Sequence, residues 1–192
     1  MGKRIFDFLC ALLGLLIVSP LLFVIALAVK FTSRGPVFFR QPRIGRDFVP
    51  FQIVKFRTMH EGLDGPLITA SSDRRVTTVG RLLRRAKLDE LPQLWNVLKG
   101  EMSLVGPRPE VAKYVDQFRT DYEEIQSVRP GITDPASIAF RREDEMLAMT
   151  AAPEEKYVNE ILPKKIAMCK EYVQTRTLLG DFILIVRTIV HT

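Results

Sequence analysis

Between Arg81 and Gln93 the chain reads Arg-Leu-Leu-Arg-Arg-Ala-Lys-Leu-Asp-Glu-Leu-Pro-Gln. Four cations within seven residues lead straight into two adjacent carboxylates, Asp89 and Glu90. Adjacent carboxylates repel, so they either point apart or share a divalent cation. Mg²⁺ held by one or two carboxylates beside Lys and Arg is one way to bind a pyrophosphate, because ion and guanidinium groups neutralise the phosphate oxygens together. An aspartate in that position can also attack phosphorus and carry the group as an aspartyl phosphate. From spacing alone the fitting description is an N-cap Asp beside a solvated Glu ahead of a helix with Pro near its first turn, preceded by a solvated basic face.

Further guanidinium groups recur in stiff loops. Gly106-Pro107-Arg108-Pro109 and Arg129-Pro130-Gly131-Ile132-Thr133 flank a helical stretch, and Arg141-Arg142 follows. Prolines hold a loop's arginine in place, which suits bidentate phosphate recognition, although each tripeptide alone also reads as a structural turn. Lys55 and Arg57, in Lys55-Phe56-Arg57-Thr58-Met59, add a basic cluster at the end of a strand, where an edge strand with solvated cations is the other reading. Two cysteines and two histidines cannot supply a Cys/His zinc site or a disulfide framework, which points to a reducing compartment. His60 reads as a surface residue, and Trp95 as core or membrane interface. No Walker lysine loop, G-x-G-x-x-G or G-x-S-x-G is present, which argues against P-loop, dinucleotide-fold and α/β-hydrolase readings.

The elements that must position these groups follow from pattern. The chain has 192 residues, 47% apolar and 26% charged, enough for one packed domain and unlike a disordered or low-complexity chain. Its net charge of +6 favours an anionic partner. Apolar residues concentrate from Ile5 to Val29, interrupted only by Asp7, Gly14, Ser19 and Pro20 and flanked by Lys3-Arg4 and by Lys30 and Arg34. As a helix those 25 residues reach roughly 38 Å, against about 30 Å of bilayer hydrocarbon. No small-x-small cleavage site follows, so the run does not read as a cleavable signal peptide. Either a helix kinked at Pro20 spans the bilayer, or the segment breaks at Ser19-Pro20 and leaves on the side it entered. Basic residues at both ends place both on the cytoplasmic side. A buried soluble helix is the third arrangement.

Downstream, Val37–Phe39 and Phe51–Phe56 read as strands joined by a turn around Gly45-Arg46. Residues Gly62 to Ser72 read as loop. Helices are predicted from Arg74 to Lys87 with Asp73 as N-cap, from about Leu91 to Lys99 with Gly100 closing it, from Pro109 through Ile125, and from Pro153 with an interruption near Pro163. Leu178 to Val190 is an apolar tail, either core or lying along a membrane surface. The expectation is an α+β, mostly helical fold with a short β-hairpin: residues 1–34 form the anchor, and residues 35–192 form one catalytic unit ending in an amphipathic helix.

Taken in order, Lys3-Arg4-Ile5-Phe6-Asp7, Ser19-Pro20, Gly35-Pro36-Val37-Phe38-Phe39, Lys55-Phe56-Arg57-Thr58-Met59, Leu88 to Leu94, Asn96 to Gly100, Met102-Ser103, Gly106 to Pro109 and Arg129 to Thr133 resemble the bacterial sugar transferase family, the monotopic phosphoglycosyl transferases. The resemblance covers nearly the whole chain. It implies transfer of a phospho-sugar from a UDP-sugar to a polyprenol phosphate such as undecaprenyl phosphate at the cytoplasmic face of the bacterial plasma membrane. The products would be UMP and a polyprenyl-diphospho-sugar, the first membrane step of glycan assembly. It implies Asp89 as the nucleophile, Glu90 assisting, and Mg²⁺ at the pair. It maps phosphate-binding arginines onto Arg84, Arg108 and Arg141, and a re-entrant membrane helix onto Ser19-Pro20. Where the family often continues Arg-Pro-Gly-Ile-Thr with Gly and a polar stretch, this chain has Asp134-Pro135-Ala136-Ser137. Nucleic acid is not among the expected partners, and monomer and homodimer both stay open. A silent membrane scaffold binding anionic lipid, and a pyrophosphatase or phosphodiesterase passing the phosphate to water, are the competing functions.

Overall fold

The structure is a computed structural model describing residues 2–62, 65 and 73–191. The loop expected from Gly62 to Ser72 falls largely outside those residues. The first element is a single 31-residue helix, α1 (Gly2–Thr32). It is the only helix among the described residues long and apolar enough to cross a membrane. Its helical hydrogen bonding continues through Ser19-Pro20, where the sequence predicts a break. Pro20 has no N–H for the Leu16 carbonyl, and the Ser19 hydroxyl donates to that oxygen instead at 2.9 Å.

Both ends of α1 are fixed to the same body. Near its start, the Arg4 guanidinium donates to the carbonyls of Val97 and Leu98 at 2.6 and 2.8 Å. Asp7, almost fully buried, accepts from the Ser103 hydroxyl at 2.8 Å. Near its end, Ile25 and Val29 pack with Phe56 and Leu83, while Ala11 joins Ile53, Val97 and Met102. Between these anchors Leu12, Leu13, Leu16, Ile17, Leu21, Phe23 and Val24 are exposed. Helix α1 therefore shares two cores with the rest of the chain and is not a separate packing unit.

Strands β1 (Phe38–Ile44) and β2 (Pro50–Phe56) form the expected antiparallel hairpin, with Phe39 opposite Lys55. Helix α2 (Thr78–Arg85) is shorter than predicted. Residues before it are extended: Val76 bridges to Met59, and His60 N–H bonds to the Arg75 carbonyl. The cap is therefore Thr77, whose hydroxyl accepts from Gly80 N–H at 2.8 Å, while Asp73 pairs with Arg75. Helix α3 (Gln93–Lys99) ends at Gly100 in the left-handed region, as predicted. A parallel pair not anticipated from pattern, β3 (Ser103–Val105) and β4 (Gly131–Thr133), crosses so closely that a Cβ on Gly131 would meet the Gly106 nitrogen at 2.1 Å.

The helix predicted from Pro109 is two: α4 (Ala112–Gln117) and α5 (Arg119–Ile125), separated where Phe118 leaves helical geometry. Short helices α6 (Pro135–Ala139), α7 (Glu143–Ala148) and α8 (Pro153–Lys156) lead to α9 (Leu162–Thr175) and α10 (Leu178–His191). The largest core lies among α4, α5, α6, α7 and α9. Helix α10 is not a core helix. Leu178, Leu179, Phe182, Val186, Ile189 and Val190 are exposed along it, while Asp181 is buried and bound to Lys3 at 2.5 Å and the Tyr172 hydroxyl at 2.7 Å.

Candidate active site

Asp89 and Glu90 lie on a 3₁₀ turn, Leu88–Glu90, between α2 and α3. Lys87, in the left-handed region at φ 53°, turns the chain into it. At three residues per turn, adjacent side chains leave the axis about 120° apart, so the two carboxylates have different surroundings. Asn96 ties α3, which follows this turn, to β2. Its side chain accepts from Val54 N–H at 3.1 Å and donates to the Gln52 carbonyl at 2.7 Å, bonding to the backbone of β2 much as a neighbouring strand would.

Glu90 is the clamped carboxylate. Lys55 Nζ donates to its Oε1 at 2.7 Å, and Arg108 donates to Oε1 and Oε2 at 2.5 and 3.2 Å. Burial alone would push Glu90 upward, but Arg108 and Lys55 outweigh it and hold the carboxyl well below its ordinary value. The same attraction raises Arg108. Asp89 is equally buried but accepts no hydrogen bond from another described residue. Burial first, and the Glu90 charge second, raise its carboxyl above the ordinary value, opposed by Lys55, Arg84 and Lys87. One carboxylate is thus locked as an anion, and its neighbour is a desolvated carboxyl with Lys55, Arg84 and Lys87 around it.

Arg84 is set by two contacts. Its Nε donates to the Thr58 hydroxyl at 2.8 Å, and the first turn of α2 lies directly on Thr58, where a Cβ on Gly80 would sit 2.1 Å from the carbonyl oxygen. Arg108 leaves a loop fixed by the β3–β4 crossing and by Asp134, whose Oδ2 accepts the Arg108 backbone N–H at 3.2 Å. Lys55, Arg84, Arg108, Asp89 and Glu90 are therefore brought together.

Arg57 and Arg129, also expected at the site, are bonded elsewhere. Arg57 is buried at the end of α1, donating to the carbonyls of Pro36, Val29 and Ser33, which use its guanidinium as a helix C-terminal clamp. Arg129 bonds to the Gly100 carbonyl at 2.7 Å, at the opposite end of α3 from the pair. Arg141 is exposed in the turn between α6 and α7. The electrostatic reach of Glu143 to Arg108, and of Asp144 to Arg84, puts the start of α7 on the site's side of the fold. Thr58 and Asp134 were not singled out from sequence. Thr58 stood inside a quoted motif with nothing to mark it, and Asp134 was the first residue of the atypical segment.

For Mg²⁺ the donor set fits the way this ion binds, through one or two carboxylates and substrate phosphates rather than a protein cage. Among the described residues the Asp89 oxygens accept no hydrogen bond, and Glu90 Oε2 accepts one, from Arg108.

The whole chain, residues 1–192, matches the model of a family described as bacterial sugar transferase. A Caulobacter vibrioides protein called UDP-glucose:undecaprenyl-phosphate glucose-1-phosphate transferase is 41% identical over 192 residues, covering 97% of this chain and 68% of that protein. An Escherichia coli K12 protein of the same name is 40% identical, with 97% of this chain and 39% of the relative covered. A UDP-N-acetylgalactosamine-undecaprenyl-phosphate N-acetylgalactosaminephosphotransferase of Aeromonas hydrophila is 43% identical over 141 residues, 71% of this chain and 33% of the relative. The chain thus spans about two thirds of the first and only a third to two fifths of the others.

Proposed function

The chain belongs to the bacterial sugar transferase family, and from that premise we propose that it transfers a phospho-sugar from a UDP-sugar to undecaprenyl phosphate at the membrane surface. The observation that carries this reading is the asymmetric carboxylate pair, Glu90 locked by Lys55 and Arg108 beside an unbonded Asp89 with Arg84 and Lys87 around it. An Asp89 oxygen attacks the sugar-bearing phosphorus, the phosphoanhydride bond breaks, and UMP leaves with the bonding pair. The phosphate of the polyprenol then attacks the same phosphorus, releasing the Asp89 carboxylate and forming the polyprenyl-diphospho-sugar. Arg84 and Arg108 offset the diphosphate charge. Mg²⁺, held by Asp89 and the free side of Glu90 together with donor phosphate oxygens, would supply further charge neutralisation. A covalent intermediate lets one site serve a soluble donor and then a lipid acceptor.

The packing of α1 supports a membrane placement for the chain. Arg4 and Asp7 at one end and Val29 at the other are bonded to or packed on one domain, so a single crossing would put part of that domain on the wrong side of the bilayer. We infer that α1 enters and leaves on the cytoplasmic face, with the exposed Ser19-Pro20 region at its deepest point, and that the exposed apolar face of α10 lies along the interface.

The test is intact-mass measurement of detergent-purified protein after incubation with Mg²⁺ and a panel of UDP-sugars. A mass increase of one phospho-sugar, absent in Asp89→Asn, is the expected result. UMP that accumulates only with polyprenol phosphate, and no adduct, would replace the covalent step with direct transfer. Full-rate UMP release without any acceptor would make the protein a hydrolase. For the topology, a cysteine at position 2 and one at position 33 should both react with impermeant thiol reagent only from the cytoplasmic side.

A further inference from the structure

Arg108 sits between two prolines, so Pro107 and Pro109 contribute no N–H and the Arg108 amide is the one donor of that stretch. Its acceptor is Asp134 Oδ2 at 3.2 Å. Asp134 is fully buried, and its other oxygen caps α6 by accepting Ser137 N–H at 2.6 Å. Cys169 of α9 donates its thiol to Oδ2 at 3.3 Å. The loop is closed from both sides by backbone bonds, Gly106 N–H to the Thr133 carbonyl and Gly131 N–H to the Pro107 carbonyl, both at 3.0 Å. One carboxylate therefore ties the Arg108 peptide plane to α6 and α9, on the atypical segment that follows β4.

We propose that Asp134 is a positioning residue for the transfer reaction, setting the Arg108 backbone so that its guanidinium holds Glu90 in register beside Asp89. The proposal rests on the transferase reading. Prolines on both sides leave the Arg108 peptide few alternative conformations, so its orientation decides where the side chain departs. Loss of the Asp134 acceptor tilts that peptide and opens the two-bond contact with Glu90. A displacement of about 1 Å at such a group lowers turnover on the order of 100-fold.

The decisive variant is Asp134→Ser, since serine still caps α6 but is too short to reach the Arg108 amide. Asp134→Asn, which keeps the side-chain volume, serves if the serine variant is unstable. Full-length protein in detergent is assayed for UMP release with a UDP-sugar and undecaprenyl phosphate. Hydrogen exchange is followed over the Pro107–Pro109 stretch, where only Arg108 carries an amide hydrogen. The expected result is kcat lower by roughly 10- to 100-fold with donor KM within about threefold, amide exchange at least about tenfold faster, and no additional loss of kcat in an Arg108→Ala background. Unchanged exchange would show that Asp134 does not hold Arg108. Faster exchange with unchanged kcat, or a full additional loss in the Arg108→Ala background, would equally overturn the proposal. A wild-type protein inactive with every donor refutes the transferase reading instead, and the exchange comparison still decides whether Asp134 holds the Arg108 backbone.

Discussion

Exchanging the two neighbouring carboxylates for their amides should have opposite effects on stability. Glu90→Gln removes the anion that Lys55 and Arg108 share, leaving two cations facing each other in a buried setting. Breaking a buried ion pair from one side costs about 3–5 kcal/mol, and the partial exposure of the Arg108 side chain, 31%, argues for the low end. Unfolding entropy of about 2.1 cal/mol/K per residue makes roughly 0.4 kcal/mol/K for a chain of this length. A loss of about 3 kcal/mol then lowers Tm by about 7 °C at pH 7. The Glu90 carboxyl is depressed in the fold, so its contribution is present above the ordinary carboxylate value and is lost as pH falls through the depressed one. The gap between wild type and Glu90→Gln should accordingly narrow as pH drops below about 4. Asp89 has the reverse sign: its carboxyl is raised, so the fold is favoured with Asp89 protonated and loses stability as pH rises through the raised value. Asp89→Asn should therefore melt at or above the wild-type temperature at pH 7, while forming no phospho-sugar adduct. Thermal unfolding of the three proteins in one detergent, at pH 7 and again at about pH 3, checks this. A Glu90→Gln protein melting within 2 °C of wild type, or an Asp89→Asn protein that melts lower than it, would refute the assignment of clamped and unclamped carboxylates.

Other outcomes follow from the same geometry. The raised Asp89 carboxyl should place the acid limb of the rate of adduct formation above the ordinary carboxylate range of about 4, read from a pH profile of initial rates. Arg57→Ala removes the clamp on the end of α1 and should lower Tm by several degrees while leaving donor KM near wild type; a rise in KM alone would instead return Arg57 to the donor site. Gly80→Ala forces a methyl into the Thr58 carbonyl, so the start of α2 must move and carry Arg84 with it. It should cost at least about 2 kcal/mol and lower kcat/KM, whereas Arg81→Ala, on the exposed face of the same helix, should leave Tm within about a degree.

Local pattern was enough for an apolar N-terminal helix, though not for its continuity through Pro20, and for the β1–β2 hairpin, the end of α3 at Gly100 and the presence of two adjacent acids. Each depends on residues close in the chain: a long, mostly apolar run, alternation about a turn, a glycine that tolerates φ of 84°, two acids side by side. Pattern also exposed the apolar stripe of α10 without deciding what faced it. Which cations meet the acids was not legible. Lys55, Arg57, Arg84, Arg108 and Arg129 are chemically equivalent along the chain. They are sorted only by contacts between distant segments: α2 pressed onto Thr58 through Gly80, β3 paired with β4 across 28 residues of register, α1 drawing Arg57 to its own carbonyls. The two halves of the acidic pair likewise differ only because a tight turn sends one toward Lys55 and Arg108 and leaves the other without a hydrogen bond from the described residues. Sequence spacing sets what a segment can form by itself, whereas the protonation and the partners of Asp89 and Glu90 depend on desolvation and charge supplied from elsewhere in the fold.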